Sequence, residues 1–301
     1  MKLLYAAVIL CSSNLLADDL YLAPKSDQLT RYTGPHQPVH RVAELRVRHA
    51  GQAEWREVIV DDPYLHAEYI SSAPGNGLSK RFHPDTRAWW VVMDGRIQFE
   101  IEGQETFVAS KGAIVQVPKA TMFALKTIGD QPSLRYEVNI AGAATLYPHN
   151  GTPDPLPGFG FTTIRLTVRK PAPYNNGNRP VVTFDQLAAA SDLRKTNVTA
   201  VVNDDRAASN FIYGLEKILP PQAKAGRGHY HTGGSESWII LAGQIRYAIE
   251  GQEPFVADVG DVVYVPPFTY HAPRFYGEAP ACRLAMNGFV DITHLWDVPK
   301  D

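Results

Sequence analysis

A chain of 301 residues has room for one large or two ordinary domains. Its 29 lysines and arginines against 31 acidic residues, a net charge of −2, give no long-range attraction for nucleic acid or an anionic membrane. A hydrophobic share of 45% with 20% charged residues is that of a globular chain, and 23 prolines with 23 glycines favour the many turns of an all-β fold.

The first residues, Met1-Lys-Leu-Leu-Tyr-Ala-Ala-Val-Ile-Leu10, carry one positive charge and then an apolar run too short to span a membrane. Small and polar residues come next, so 1–17 reads as a secretory signal peptide cut after Ala17, which predicts a secreted or periplasmic protein with no membrane contact after cleavage. Cys11 leaves with it, and Cys282 alone makes no internal disulfide. An extension over 18–60 contains strand-like pieces, among them Leu45-Arg-Val-Arg48 and Trp55-Arg-Glu-Val-Ile-Val60.

An internal repeat dominates the rest of the chain. Ile101-Glu-Gly-Gln-Glu-Thr-Phe-Val-Ala-Ser-Lys-Gly112 returns as Ile249-Glu-Gly-Gln-Glu-Pro-Phe-Val-Ala-Asp-Val-Gly260, an offset of 148 residues. The same offset maps His83 onto His231, Trp90 onto Trp238, Gly95 onto Gly243, Pro118 onto Pro266 and Asn139 onto Asn287. The chain therefore divides into an N-terminal domain over 18–148, a Pro- and Gly-rich linker over 149–180 and a C-terminal domain over 181–301. Each copy reads as short alternating strands. Trp238–Ala242 and Ile245–Ile249 look like the arms of a hairpin turning at Gly243-Gln244. Thr183-Phe-Asp-Gln186 opens a short helix with a capping box.

The C-terminal copy carries the chemistry. His229 and His231 alternate with Tyr230, so on a strand both imidazoles face one way, about 7 Å apart. Glu236 comes after a glycine-containing turn, and His271 arrives from a later strand. Three imidazoles and one carboxylate, without a thiolate, suit a divalent transition metal. Projected back by 148, the same positions are Arg81, His83, Ala88 and Phe123, so one donor of four survives and the first barrel is expected to hold no metal.

These residues resemble the cupin family. His229, His231, Glu236 and Gly243 meet its first motif at every spacing, and Gly260, Pro266 and His271 meet the second, in which Phe268 replaces a glycine and Phe275 an asparagine. The resemblance implies an all-β protein of two tandem jelly-roll barrels, a bicupin, with Fe(II) or Mn(II) favoured at the second barrel and zinc, nickel or copper as alternatives. Four protein donors leave two positions of an octahedron for a small oxygen-rich substrate. That implies a dioxygenase- or decarboxylase-type oxidoreductase or lyase; a non-catalytic binding bicupin and a sugar isomerase or epimerase are the competing readings. Arg227, Trp238 and Ile240 share the parity of the ligands and are the candidate substrate contacts, with Arg227 suited to a carboxylate. No catalytic acid or base is singled out, and pairing of whole chains through barrel faces is left open.

Overall fold

The computed structural model describes residues 25, 31–155, 158, 160–218, 227–288 and 293–296. The signal segment 1–17 lies outside them. Ahead of the first barrel stand β1 (Val39–His40) and α1 (Val42–Arg48). The first barrel runs through β2 (Trp55–Asp61), β3 (Leu65–Ser72), β4 (Gly77–Arg81), β5 (Ala88–Asp94) and β6 (Arg96–Ile101). It closes with β7 (Phe107–Ser110), β8 (Ala113–Val117), β9 (Phe123–Thr127) and β10 (Ser133–Ile140). After the linker come β11 (Val181–Thr183) and α2 (Phe184–Ala189). The second barrel contains β12 (Asn197–Asp204), β13 (Ala207–Gly214), β14 (His229–Tyr230), β15 (Glu236–Ala242) and β16 (Gln244–Ile249). It ends with β17 (Phe255–Ala257), β18 (Val262–Val265), β19 (His271–Tyr276), β20 (Ala281–Asn287) and β21 (Leu295–Trp296).

Each barrel is two facing antiparallel sheets. The first has the order β11-β8-β5-β10-β3-β2 against β4-β9-β6-β7, and the second β1-β18-β15-β20-β13-β12 against β17-β16-β19-β14-β21. Period-two alternation explains the layering. Trp90, Val92, Ile97, Phe99 and Phe123 fill the first barrel, and Trp238, Ile240, Ile245, Tyr247 and Phe275 fill the second. The opposite faces of the two six-stranded sheets meet in one further core, where Tyr69, Trp89 and Tyr136 of the first half pack with Phe211, Ile239, Leu284 and Met286 of the second. β5 is consequently apolar on both faces and reads as a near-continuous hydrophobic run.

The halves also trade edge strands. β1 pairs with β18 through Val39↔Val263, and β11 pairs with β8 through Val182↔Ile114. Thus part of the span 18–148 completes the second barrel, and the start of 181–301 completes the first. The linker is laid along the first barrel: Arg169 donates to both carboxylate oxygens of Glu102 and to the Ala120 carbonyl, and Tyr174 donates to the Gln116 carbonyl.

Two local readings fail. Leu45-Arg-Val-Arg48 lies in α1, because Asp261 of the second barrel accepts from the Val42 amide and from Arg41, seeding a helix whose one buried side chain is Leu45. β15 and β16 form no hairpin. β15 pairs with β18 and β20, and β16 with β17 and β19, so Gly243, at φ 59°, carries the chain from one sheet to the other. A Cβ there would sit 2.6 Å from the Pro280 carbonyl oxygen. The capping box at Thr183 does form: Thr183 Oγ1 accepts from the Gln186 amide, and Gln186 Oε1 from that of Thr183. No helix among the described residues is long and apolar enough to cross a membrane.

Candidate metal centre

β14 is only two residues long, yet it places the site. His229 pairs with His271 of β19 on one side and with Trp296 of β21 on the other. Gly228 makes this approach possible: at φ 86° its missing Cβ leaves room for the His271 carbonyl. Beyond Tyr230 the chain leaves the strand, and the Phe268 amide pins it by donating to the His231 carbonyl at 2.7 Å. Phe268 itself holds φ 62°, as does Ala120 at φ 60° in the first copy, so the turn keeps a left-handed residue although neither copy has glycine there.

The result is one compact cluster. His229, His231, Glu236 and His271 are buried, and each offers a donor atom, all within 4.8 Å of one another. Backbone carbonyls set two of the tautomers. A carbonyl only accepts, so His231 Nδ1 carries the proton it gives to Thr293 O at 2.9 Å, and His271 Nδ1 the one it gives to Thr269 O at 2.9 Å. Both Nε2 atoms then point inward, 2.9 Å and 3.3 Å from Glu236 Oε2, where each hydrogen-bonds the carboxylate when protonated and offers a lone pair to a cation when not.

The electrostatics stem from burial. Desolvation, with His271 and His231 adding to it, holds His229 neutral, its pKa down at about 2. Burial opposes ionisation of Glu236, but contacts with His231 and His271 outweigh it and keep the carboxylate charged. Burial also opposes protonation of His231; the hydrogen bond and charge of Glu236 prevail and push its pKa up. The donor set fits a divalent cation on one structural observation: both ring nitrogens of His229 and Nε2 of His271 are buried without a hydrogen-bond partner. One nitrogen from each of His229, His231 and His271, together with the Glu236 carboxylate, is what a transition metal would use.

Of the proposed substrate contacts, Trp238 packs edge-on against the His271 ring at 5.2 Å, bordering the cluster. Ile240 lies two residues further along β15, fully buried in the barrel core. Arg227 does not share the ligand face. The left-handed Gly228 breaks the strand parity, and Arg227 is exposed with its guanidinium 4.1 Å from the Tyr270 ring, on the side where Tyr230 also packs. His294, one of several scattered histidines by sequence, instead stands 4.6 Å from the His229 ring and 4.7 Å from that of His231, with Trp296 also over His229 at 4.4 Å. No spacing rule announces it, because the segment 293–296 returns to the barrel from beyond the second motif.

The N-terminal half reaches the site as well. Asp62, in the turn between β2 and β3, accepts from Ser235 Oγ and from the Tyr264 hydroxyl at 3.1 Å; its other oxygen accepts from the amides of Tyr64 and Leu65. Ser235 directly precedes Glu236. In the first barrel, the equivalent of the cluster is filled differently: the Phe123 ring packs on His83 and Trp90, and Arg81 pairs with Asp154. A cavity of about 770 Å³ opens on that barrel's flank, lined by Arg56, Ser72, Asp154 and Arg135 among others, and none of the four clustered residues lines it.

Comparison with known proteins agrees with this architecture. A cupin domain model matches residues 215–287, a span that contains all four clustered residues. No curated protein matches. Among solved structures, salicylate 1,2-dioxygenase from Pseudaminobacter salicylatoxidans superposes with a TM-score of 0.61 at 13% identity, over 85% of this chain and 85% of that one. A variant of that dioxygenase in complex with gentisate gives 0.60 at 12% identity, over 85% and 83%. A variant of oxalate decarboxylase from Bacillus subtilis gives 0.48 at 14% identity, over 81% and 75%. For the two dioxygenase structures the likeness is one of fold.

Proposed function

Residues 215–287 match a cupin domain within a two-barrel fold, and from that premise we propose that the second barrel is a divalent-metal centre, an oxidoreductase or lyase acting on a small oxygen-rich organic acid or phenol. The observation that carries the proposal is the convergence of three buried imidazoles and one buried carboxylate, whose donor atoms all lie within 4.8 Å of one another. A metal such as Fe(II) or Mn(II), when bound there, supplies Lewis acidity or one-electron chemistry. The chain's own residues then have separable tasks. His229, His231, Glu236 and His271 hold the ion; Thr293 O and Thr269 O keep two of the imidazoles in the ligating tautomer. Trp238 offers an apolar wall beside His271, and His294 with Trp296 offers a second on the opposite side of His229. Export of the mature chain belongs to the same proposal and rests on the pattern of residues 1–17.

Elemental analysis of protein purified without chelator tests the centre. We expect one transition metal per chain, its loss in His231→Ala and in Glu236→Ala, and its retention in His83→Ala. Full retention in the first two variants refutes the assignment. Oxygen uptake on a panel of small carboxylic acids and phenols then separates redox chemistry from isomerisation, which consumes none.

A further inference from the structure

Asn287 is the last residue of β20, and the register of the sheet sets it beside the cluster. Ser237 pairs with Met286, so Asn287 stands opposite Glu236. Ala281 and Ala285 of β20 line the barrel core while Cys282, Leu284 and Met286 line the core between the halves, so Asn287 shares the inward face with Glu236. Side chains so paired across antiparallel strands lie about 5 Å apart. Asn287 is 2% exposed, and its Nδ2 is buried without a hydrogen-bond partner. A donor left unmade in a low-dielectric interior is costly and calls for a reason.

The repeat supplies an internal comparison. Asn139 pairs with Ala88, the counterparts of Asn287 and Glu236 at the offset of 148. There, with no carboxylate opposite, the amide turns back and Asn139 Oδ1 accepts from the Ile140 amide at 2.7 Å. In the second barrel it makes no such bond. An amide N–H is no metal ligand, since its nitrogen has no lone pair to give. It marks the place of an acceptor. Deeper in the same barrel the Tyr247 hydroxyl on β16 and Arg283 Nε on β20 are also buried and unpartnered, so the interior below the cluster holds further unused donors.

We infer that Asn287 is a ligand-binding residue whose side-chain amide donates a hydrogen bond to an oxygen-donor or anionic ligand held on the open side of the metal centre. The inference rests on the metal reading of the same site and adds to it the character of what binds: a species with a hydrogen-bond acceptor next to its coordinating atom, such as a carboxylate, a phenolate or a small inorganic anion.

Azide is a suitable probe, because it needs only an open coordination position and no turnover. The full chain is loaded with Co(II) and titrated with azide by visible absorption. We expect Asn287→Ala and Asn287→Leu to keep the wild-type cobalt stoichiometry and to bind azide about tenfold more weakly. Asn287→Asp, which preserves shape but sets a carboxylate against the anion, is expected to lose more. It serves as the test if the smaller variants fail to fold. Unchanged azide affinity in these variants overturns the inference and leaves the metal centre standing. Loss of cobalt in Asn287→Ala also overturns it, because the amide would then be a ligand or a structural prop. A wild-type chain that takes up no cobalt overturns both.

Discussion

At the scale of single residues, ionisation is governed by pairing with opposite charge. His66 projects between Asp61, 3.0 Å from Nδ1, and Glu68, 3.8 Å from Nε2. The Glu68 carboxylate foremost, and Asp61 with it, raise the His66 pKa from 6.5 to about 9 against the opposing effect of burial. A folded-state pKa above the unfolded one means that the bound proton stabilises the fold fully below pH 6.5 and ceases to do so as pH climbs through about 9. His66→Gln should therefore flatten the fall in urea midpoint across that window. The effect is small, about 0.2–1 kcal/mol, because the ring is partly solvated. The four residues of the cluster were legible at this scale, since residue type and spacing suffice to mark His229, His231, Glu236 and His271. Arg227 departs from its expected place for an equally local reason. Counting parity back along a strand assumes an extended backbone, and Gly228 is not extended.

At the scale of elements, turns and edges decide which strand meets which. The turn before β3 sends Asp62 across to Ser235 and Tyr264, so one carboxylate of the N-terminal half braces the loop that leads into Glu236. Asp62→Ala removes two side-chain donors' partner and two backbone ones. We expect a loss of about 2–3 kcal/mol in denaturant unfolding, together with weaker metal retention under a competing chelator. Retention equal to wild type would confine Asp62 to stability alone. The periodicity of β5 and β15 was readable, whereas their partners were not. A glycine followed by a polar residue between two apolar runs suits a tight hairpin and a sheet-to-sheet crossover alike. Likewise Leu45-Arg-Val-Arg48 alternates like a strand, and only the distant Asp261, capping the Val42 amide, makes it a helix.

At the scale of the whole molecule, the two copies share one core. They share the core built from Tyr69, Trp89, Tyr136, Ile239 and Leu284, exchange β1 and β11, and are tied by polar contacts such as Arg87 Nε to Asp204 at 2.7 Å and Gln116 Nε2 to the Val201 carbonyl at 2.6 Å. Residues 149–301 expressed alone should expose that apolar sheet face, lack β1 and fail to unfold cooperatively. Co-expression with residues 1–148 should restore a cooperative transition in circular dichroism. A sharp transition in the isolated half would show that the shared core is dispensable. From residue types and spacing alone came the repeat, the all-β class, the four clustered residues and the absence of three of their counterparts from the first copy, because each of these is carried by identity at fixed intervals along the chain. Tertiary structure decided the rest: the strand exchange, the brace from Asp62, the return of His294 and Trp296 to the cluster, and the neighbourhood of Asn287. All of those join residues distant in sequence, and a contact of that kind depends on sheet order and register, which no local pattern encodes.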